Sequence, residues 1–251
     1  MNPSPYPAPF ISAHDKARIV KVLLIVGAIA AVMSLLAESL TFAFPPLTED
    51  QELGDNPVGA LLSLVILGIA VLELIIYVTT VVAFLLWLYR AYDNLRAFDR
   101  SRPLDYSPGF VAGSFFIPFV NLVIPYRAVK ETWEKSLTPD ETLLSAPGAP
   151  ASFPVWWFFW LAASISGNIS VRLSFNEDVP ESTATAVSIF ASALFIAAAF
   201  FAYQVVDAID KRQEETSRKL NLGKFSAPPP PSPNVPTEGA AVFANSGARE
   251  P

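Results

Sequence analysis

The sequence predicts an all-α, polytopic integral membrane protein: a four-transmembrane-helix bundle with a re-entrant or interfacial helical segment in its cytoplasmic connection. Three observations predict it. The chain is 52% hydrophobic and only 16% charged, whereas a soluble domain carries about 25% charged residues, so the apolar excess needs a bilayer to cover it. Four stretches reach the roughly 20 apolar residues that a spanning helix requires. The lysines and arginines then fall almost entirely on one side of the resulting topology.

Taken in order, the first span covers about 19–42 and contains VLLIVGAIAAVMSLLA. A basic start followed by an apolar run also fits a signal peptide. This run is longer than such a region, and no small-x-small cleavage site follows before Glu38, so an uncleaved anchor is expected. The second span, about 58–88, exceeds the required length and is expected to tilt or to leave the bilayer as helix. The third, about 153–173, reads FPVWWFFWLAASISGNISVRL, and the fourth covers about 183–206.

Orientation follows from the basic residues. Lys16, Arg18 and Lys21 precede the first span; Arg90, Arg96, Arg100, Arg102, Arg127, Lys130 and Lys135 lie between the second and third. Lys211, Arg212, Arg218, Lys219, Lys224 and Arg249 follow the fourth, which makes 16 of the 17 basic residues. The other two loops, TFAFPPLTEDQELGDNP and SFNEDVPES, hold acids and no lysine or arginine. The positive-inside rule therefore predicts a cell-membrane protein with both termini cytoplasmic.

The stretch SPGFVAGSFFIPFVNLVIPYRAVKETWEKS, Ser107–Ser136, is oily in its middle but holds Pro118, Asn121 and Pro125. Its apolar part, about 110–124, is short for a span, and basic residues flank it on both sides. Crossing would reverse the charge pattern of everything downstream, so 108–136 is expected to keep both ends cytoplasmic, either re-entrant or interfacial. Pro125 suits the first turn of a helix. From there Tyr126, Val129, Trp133 and Leu137 form one stripe, with Arg127, Lys130, Glu131, Glu134 and Lys135 opposite, paired four apart. Such a helix fits the headgroup boundary, anchored by Trp133, or packs on the protein's own extensions. Asn121 is expected to satisfy backbone groups freed by Pro118 and Pro125.

Polar residues inside the spans mark the faces that pack on other helices. Glu73 and Tyr77 lie on one seam of the second span, and Asn168 and Arg172 are four apart on the third. At 1.5 Å per residue, Glu73 stands about 21 Å from Trp87 and Asn168 about 22 Å from Phe153, which is one level. A carboxylate at such depth costs on the order of 3 kcal/mol on insertion scales and should face inward. The candidate intramembrane cluster is Glu73, Tyr77, Asn168 and Arg172, with Glu38 as a further partner for Arg172. It reads either as an ion or proton path or as adhesive between helices.

WLYRAYDNLRAFDR, Trp87–Arg100, is expected to carry the second helix out of the membrane, with Trp87, Tyr89 and Tyr92 as an interfacial belt and Asp93 paired to Arg90 or Arg96. The blocks Trp87, Tyr89-Arg90-Ala91, Asn94-Leu95-Arg96, Ser107-Pro108-Gly109, Phe116-Ile117-Pro118, Asn121-Leu122, Pro125-Tyr126 and Trp133 together resemble a bacterial membrane family catalogued as domain of unknown function 4328. The resemblance runs from roughly Val58 to Arg212. It implies a four-pass bacterial integral membrane protein and supplies no activity. The candidate cytoplasmic motif surface is Trp87, Arg90, Asp93, Asn94, Pro118, Asn121, Pro125, Tyr126 and Trp133.

The arm 1–16 and the proline-rich tail 213–251 are expected to be disordered, with His14 solvated. A net charge of −6 argues against nucleic acid as a partner. The absence of cysteine excludes disulfides and thiolate sites. No Gly-x-Ser-x-Gly elbow, Walker loop or His-x-x-x-His pair occurs, so no enzyme activity, cofactor or metal is expected. The expected role is non-enzymatic: organising or regulating other membrane components through the cytoplasmic surface, with the lipid bilayer and another membrane protein or a second copy as partners. The alternative is a small transporter or channel using Glu73, Asn168 and Arg172.

Overall fold

The computed structural model describes residues 9–41, 56–99, 101–141, 148–176 and 178–222. Among these the fold is all-α: α1 (His14–Thr41), α2 (Pro57–Asp93), α3 (Leu95–Phe98), α4 (Pro108–Gly113), α5 (Ile124–Glu134), α6 (Ser152–Ser174) and α7 (Glu181–Lys219). Two helix starts are written locally. Asn56 accepts the Gly59 N–H at 2.9 Å ahead of Pro57, and Ser107 accepts the Phe110 N–H at 3.2 Å ahead of Pro108. Each side chain satisfies a donor that the first turn leaves without a partner, and each proline gives up an N–H the helix does not need.

The four long helices pack in the order α2, α1, α7, α6, with α6 on α7 the most extensive pairing. Lys21 near the start of α1 reaches Asp207 near the end of α7 at 2.9 Å, and Ser188 Oγ donates to Glu38 Oε1 at 3.0 Å at the opposite ends. α1 and α7 are therefore antiparallel. At one end, here called the basic end, the α4–α5 segment wedges between the outer helices: the Phe115 ring lies 5.9 Å from that of Phe84 on α2 and 6.0 Å from that of Trp160 on α6.

The core is confined to the basic end. Trp87, Leu88, Tyr92, Val111, Val129, Phe153, Val205, Val206 and Ile209 are all fully buried there, and each large apolar side chain contributes about 1.5–3 kcal/mol on burial. Towards the opposite end the protein buries mainly alanines, among them Ala30, Ala31, Ala37 and Ala60, while Leu61, Leu64, Leu67 and Leu74 of α2 are each more than 60% exposed. A helix apolar all round and uncovered by protein needs an apolar solvent.

Three helical stretches, His14–Leu40, Pro57–Phe98 and Ser182–Lys219, are long and apolar enough to span a membrane. α6 is not one of the three. Its 23 residues give about 34 Å of helix, ample in length, but Trp156, Trp157, Ser164, Asn168 and Arg172 dilute its apolar character.

The folded part is wider than the expected 17–212 at both ends. α1 begins at His14, and the Phe10 ring packs 5.5 Å from that of Phe98. α7 runs on to Lys219 and buries Gln213, Thr216 and Ser217. The remainder of both expected tails and the acidic loop 42–55 lie outside the described residues.

Candidate functional site

α5 organises the basic end around a buried carboxylate. Glu131 is 5% exposed. Its Oε2 accepts the Tyr92 hydroxyl at 2.6 Å. Its Oε1 accepts the Asp105 N–H at 2.8 Å and the Lys135 ammonium. The Tyr92 oxygen in turn accepts the Tyr106 N–H at 3.0 Å. Charged and neutral donors on both oxygens are what make burial of this carboxylate tolerable. The sequence pattern put Glu131 on the polar side of α5, paired to Arg127. The structure turns α5 so that Ala128, Val129, Glu131 and Thr132 all face protein, because α2 and the chain at 105–106 bring partners the pattern cannot see. Burial pulls the Lys135 ammonium down, but its bonds to Glu131 and Asp105 outweigh that, and its pKa stands above the ordinary lysine value.

A second network ties in residues 11–14 and 210–216. The Asn94 side chain accepts the Ile11 N–H at 3.3 Å and donates to the Ile11 carbonyl at 3.0 Å, holding the N-terminal arm as a strand would. Gln213 donates to the Ala91 carbonyl at 2.7 Å and to Ser136 Oγ at 3.2 Å. Thr216 and Arg212 both donate to the Ser136 carbonyl at 3.1 Å. His14 is not simply solvated: its Nδ1 lies 3.0 Å from Asp210 Oδ2, and Lys21 bridges Asp207 and Asp210. Beside this network α5, the 135–141 loop and α7 line a cavity of about 450 Å³ that is open on one side.

The motif surface residues do gather in this layer, but several face inward. Trp87, Asn94 and Pro125 are buried, and Tyr92 is buried with Trp87, so that only Tyr89 of the expected aromatic belt faces outward. Asp93 pairs with Arg90 at 3.3 Å and with Arg96 at 3.8 Å. Tyr126 stacks on Trp157 with ring centres 6.4 Å apart, and Trp133 packs edge-on against Phe153 at 5.8 Å. Among the described residues the Asn121 side chain makes no hydrogen bond. The backbone partner near the prolines is instead Trp157, whose indole N–H donates to the Leu122 carbonyl at 3.2 Å. Pro118 precedes Phe119, whose φ of 64° centres a turn closed by Val120 N–H on the Pro118 carbonyl at 2.8 Å.

The intramembrane cluster is only partly assembled. Glu38 meets Ser188 rather than Arg172, and the Glu73 carboxylate is close enough to act on Glu38 electrostatically. Tyr77 lies beside Phe195, with ring centres 6.3 Å apart. Asn168 is exposed and donates to the Ser164 carbonyl one turn back, at 2.7 Å, and Arg172 is exposed. Neither bonds to Glu73, Tyr77 or Glu38. The reason is helix order: α1 and α7 stand between α2 and α6, which meet through Phe84 and Trp156 at the basic end.

The model of a domain of unknown function (DUF4328) matches residues 60–211, more than half of the chain. The chain belongs to this family. No curated protein and no solved structure matches it. The DUF4328 match takes in α2 through most of α7, including Glu131, Tyr92, Trp133 and Ser136, and omits α1 and the last turns of α7. The end of α7 holds buried polar residues that the sequence pattern passed over. Asp210, Gln213 and Thr216, three apart beyond an apolar stretch, were the signal for a continuing helix with a buried polar face.

Proposed function

We propose that this DUF4328 protein is a non-enzymatic, four-pass membrane protein with both termini cytoplasmic, organising or regulating other membrane components through its basic-end layer. The observation that carries this reading is the division of the molecule: a full core and dense polar networks at one end, and lipid-ready helices towards the other. The charge asymmetry supports placing the basic end in the cytoplasm, and the long antiparallel pairing of α6 with α7 supports α6 as the fourth crossing. The 108–124 segment is best read as interfacial. Within it Phe115 reaches Phe84, three residues from Trp87, and Trp160, seven from Phe153, about 5–10 Å past those boundary residues. Amphipathic elements sit in the headgroup region at that depth.

A transporter is the second reading, and the Glu38–Ser188 contact with Glu73 nearby is the observation in its favour. Purified protein in liposomes separates the two. The expected result is no ion or proton flux that Glu73→Gln abolishes, together with crosslinks from the Arg90–Trp133 region to another protein in native membranes. A Glu73-dependent flux overturns the organising role in favour of transport.

A further inference from the structure

The cavity at the basic end has a guanidinium with spare donors. Arg212 lies over the Trp133 indole, 4.2 Å from the ring centre, and spends its Nε on the Ser136 carbonyl. Among the described residues its two terminal nitrogens meet no carboxylate. The nearest acids, Glu141 and Glu215, are both held by Lys219, at 3.3 and 3.1 Å. Lys211 at the rim folds back to Asp207 at 2.6 Å and remains 77% exposed. The Ser136 and Thr216 hydroxyls already donate, to the Thr132 and Ser136 carbonyls. What faces the space is therefore a fork of N–H groups on an aromatic wall, with the ion-paired Lys211 and Lys219 ammonium groups and the Glu141 and Glu215 carboxylates at the edge.

That arrangement matches an oxyanion. A guanidinium fork binds phosphate oxygens two at a time, and a stacked arginine loses little freedom in doing so. A volume near 450 Å³, open on one side, has room for a phosphate-bearing group. Arg212 stands six residues past Val206, about 9 Å beyond the end of the apolar stretch, which in a bilayer is the depth of headgroup phosphates or just past it. We propose that this cavity binds a phosphate-bearing group, clamped by Arg212 against Trp133. The group comes either from an anionic phospholipid headgroup or from a soluble phosphorylated molecule.

The full chain in phosphatidylcholine nanodiscs provides the test, with thermal unfolding and native mass spectrometry as readouts. Inorganic phosphate is titrated in one arm, and phosphatidic acid is included in the discs in the other. Stabilisation by phosphate alone assigns the soluble source; retention of phosphatidic acid without a phosphate response assigns the lipid. In the responding arm Arg212→Gln is expected to weaken binding at least about tenfold, the loss of charge-assisted hydrogen bonds. Glu215→Gln, at a side chain 61% exposed, is expected to tighten it about threefold by removing a repelling charge. Should Arg212→Gln fail to fold, Glu215→Gln decides. No response from the wild-type chain in either arm, or equal binding by wild type and variants, overturns the proposal.

Discussion

Glu131 shows how a single side chain holds the basic end together. Replacing it by alanine strips the acceptor from Tyr92, from the Asp105 N–H and from Lys135 at once. Losing one partner of a buried charged group costs about 3 kcal/mol or more, so Glu131→Ala is expected to lower the unfolding temperature in detergent well below that of Glu134→Ala, whose side chain is 41% exposed. Lys135 adds a pH signature. Its folded pKa is raised, so its contribution to stability is fully present below the ordinary lysine value of about 10.4 and is lost as pH rises through the folded value. Unfolding measured across the alkaline range should show a loss of stability in the wild type that is smaller in Lys135→Met, the remainder belonging to Lys21, Lys219 and Tyr92, whose pKa values are also raised. Local charge spacing did forecast the Glu131–Lys135 pair. It did not forecast that Glu131 is buried, because the Tyr92 partner is 39 residues away.

The wedge between α2 and α6 shows what one element contributes. The α5 start at Pro125 is read from the sequence, whereas the Ser107–Pro108 start of α4 is not. Between them Phe119 takes a φ of 64° while its ring is 85% exposed. With ψ at −37° this is a γ-turn of the rarer, positive-φ form, a sparsely populated conformation that costs a non-glycine residue on the order of 1–3 kcal/mol, and Phe116, Phe119, Leu122 and Val123 form an apolar rim that the protein leaves uncovered. On the interfacial reading proposed above, this exposed aromatic is the side chain that would face the acyl boundary. Phe119→Gly should therefore unfold no earlier than wild type in detergent, since no packing is lost and the backbone relaxes. A drop of several degrees would mean that the ring is packed after all.

Across the described residues, the packed core is concentrated at one end, and residues 10–14 and 213–217 feed it. A chain stopped after Leu222 is expected to melt with the full-length protein. One stopped after Arg212 loses Gln213 and Thr216, hence their bonds to Ala91 and Ser136, and should expose the 135–141 loop to protease. Fragment patterns from limited proteolysis check both. The sequence alone determined the all-α class, the positions of the four long helices and the one-sided charge, because apolar length and basic-residue placement are properties of local composition. It also carried the family, through short motif blocks around the wedge. Only the tertiary structure decided which polar groups meet. Helix order put α1 and α7 between Glu73 and Arg172, and long-range pairing brought Glu131 to Tyr92 and Arg212 to Trp133. Such contacts depend on which helix neighbours which, and periodicity along one strand of sequence carries no information about neighbours.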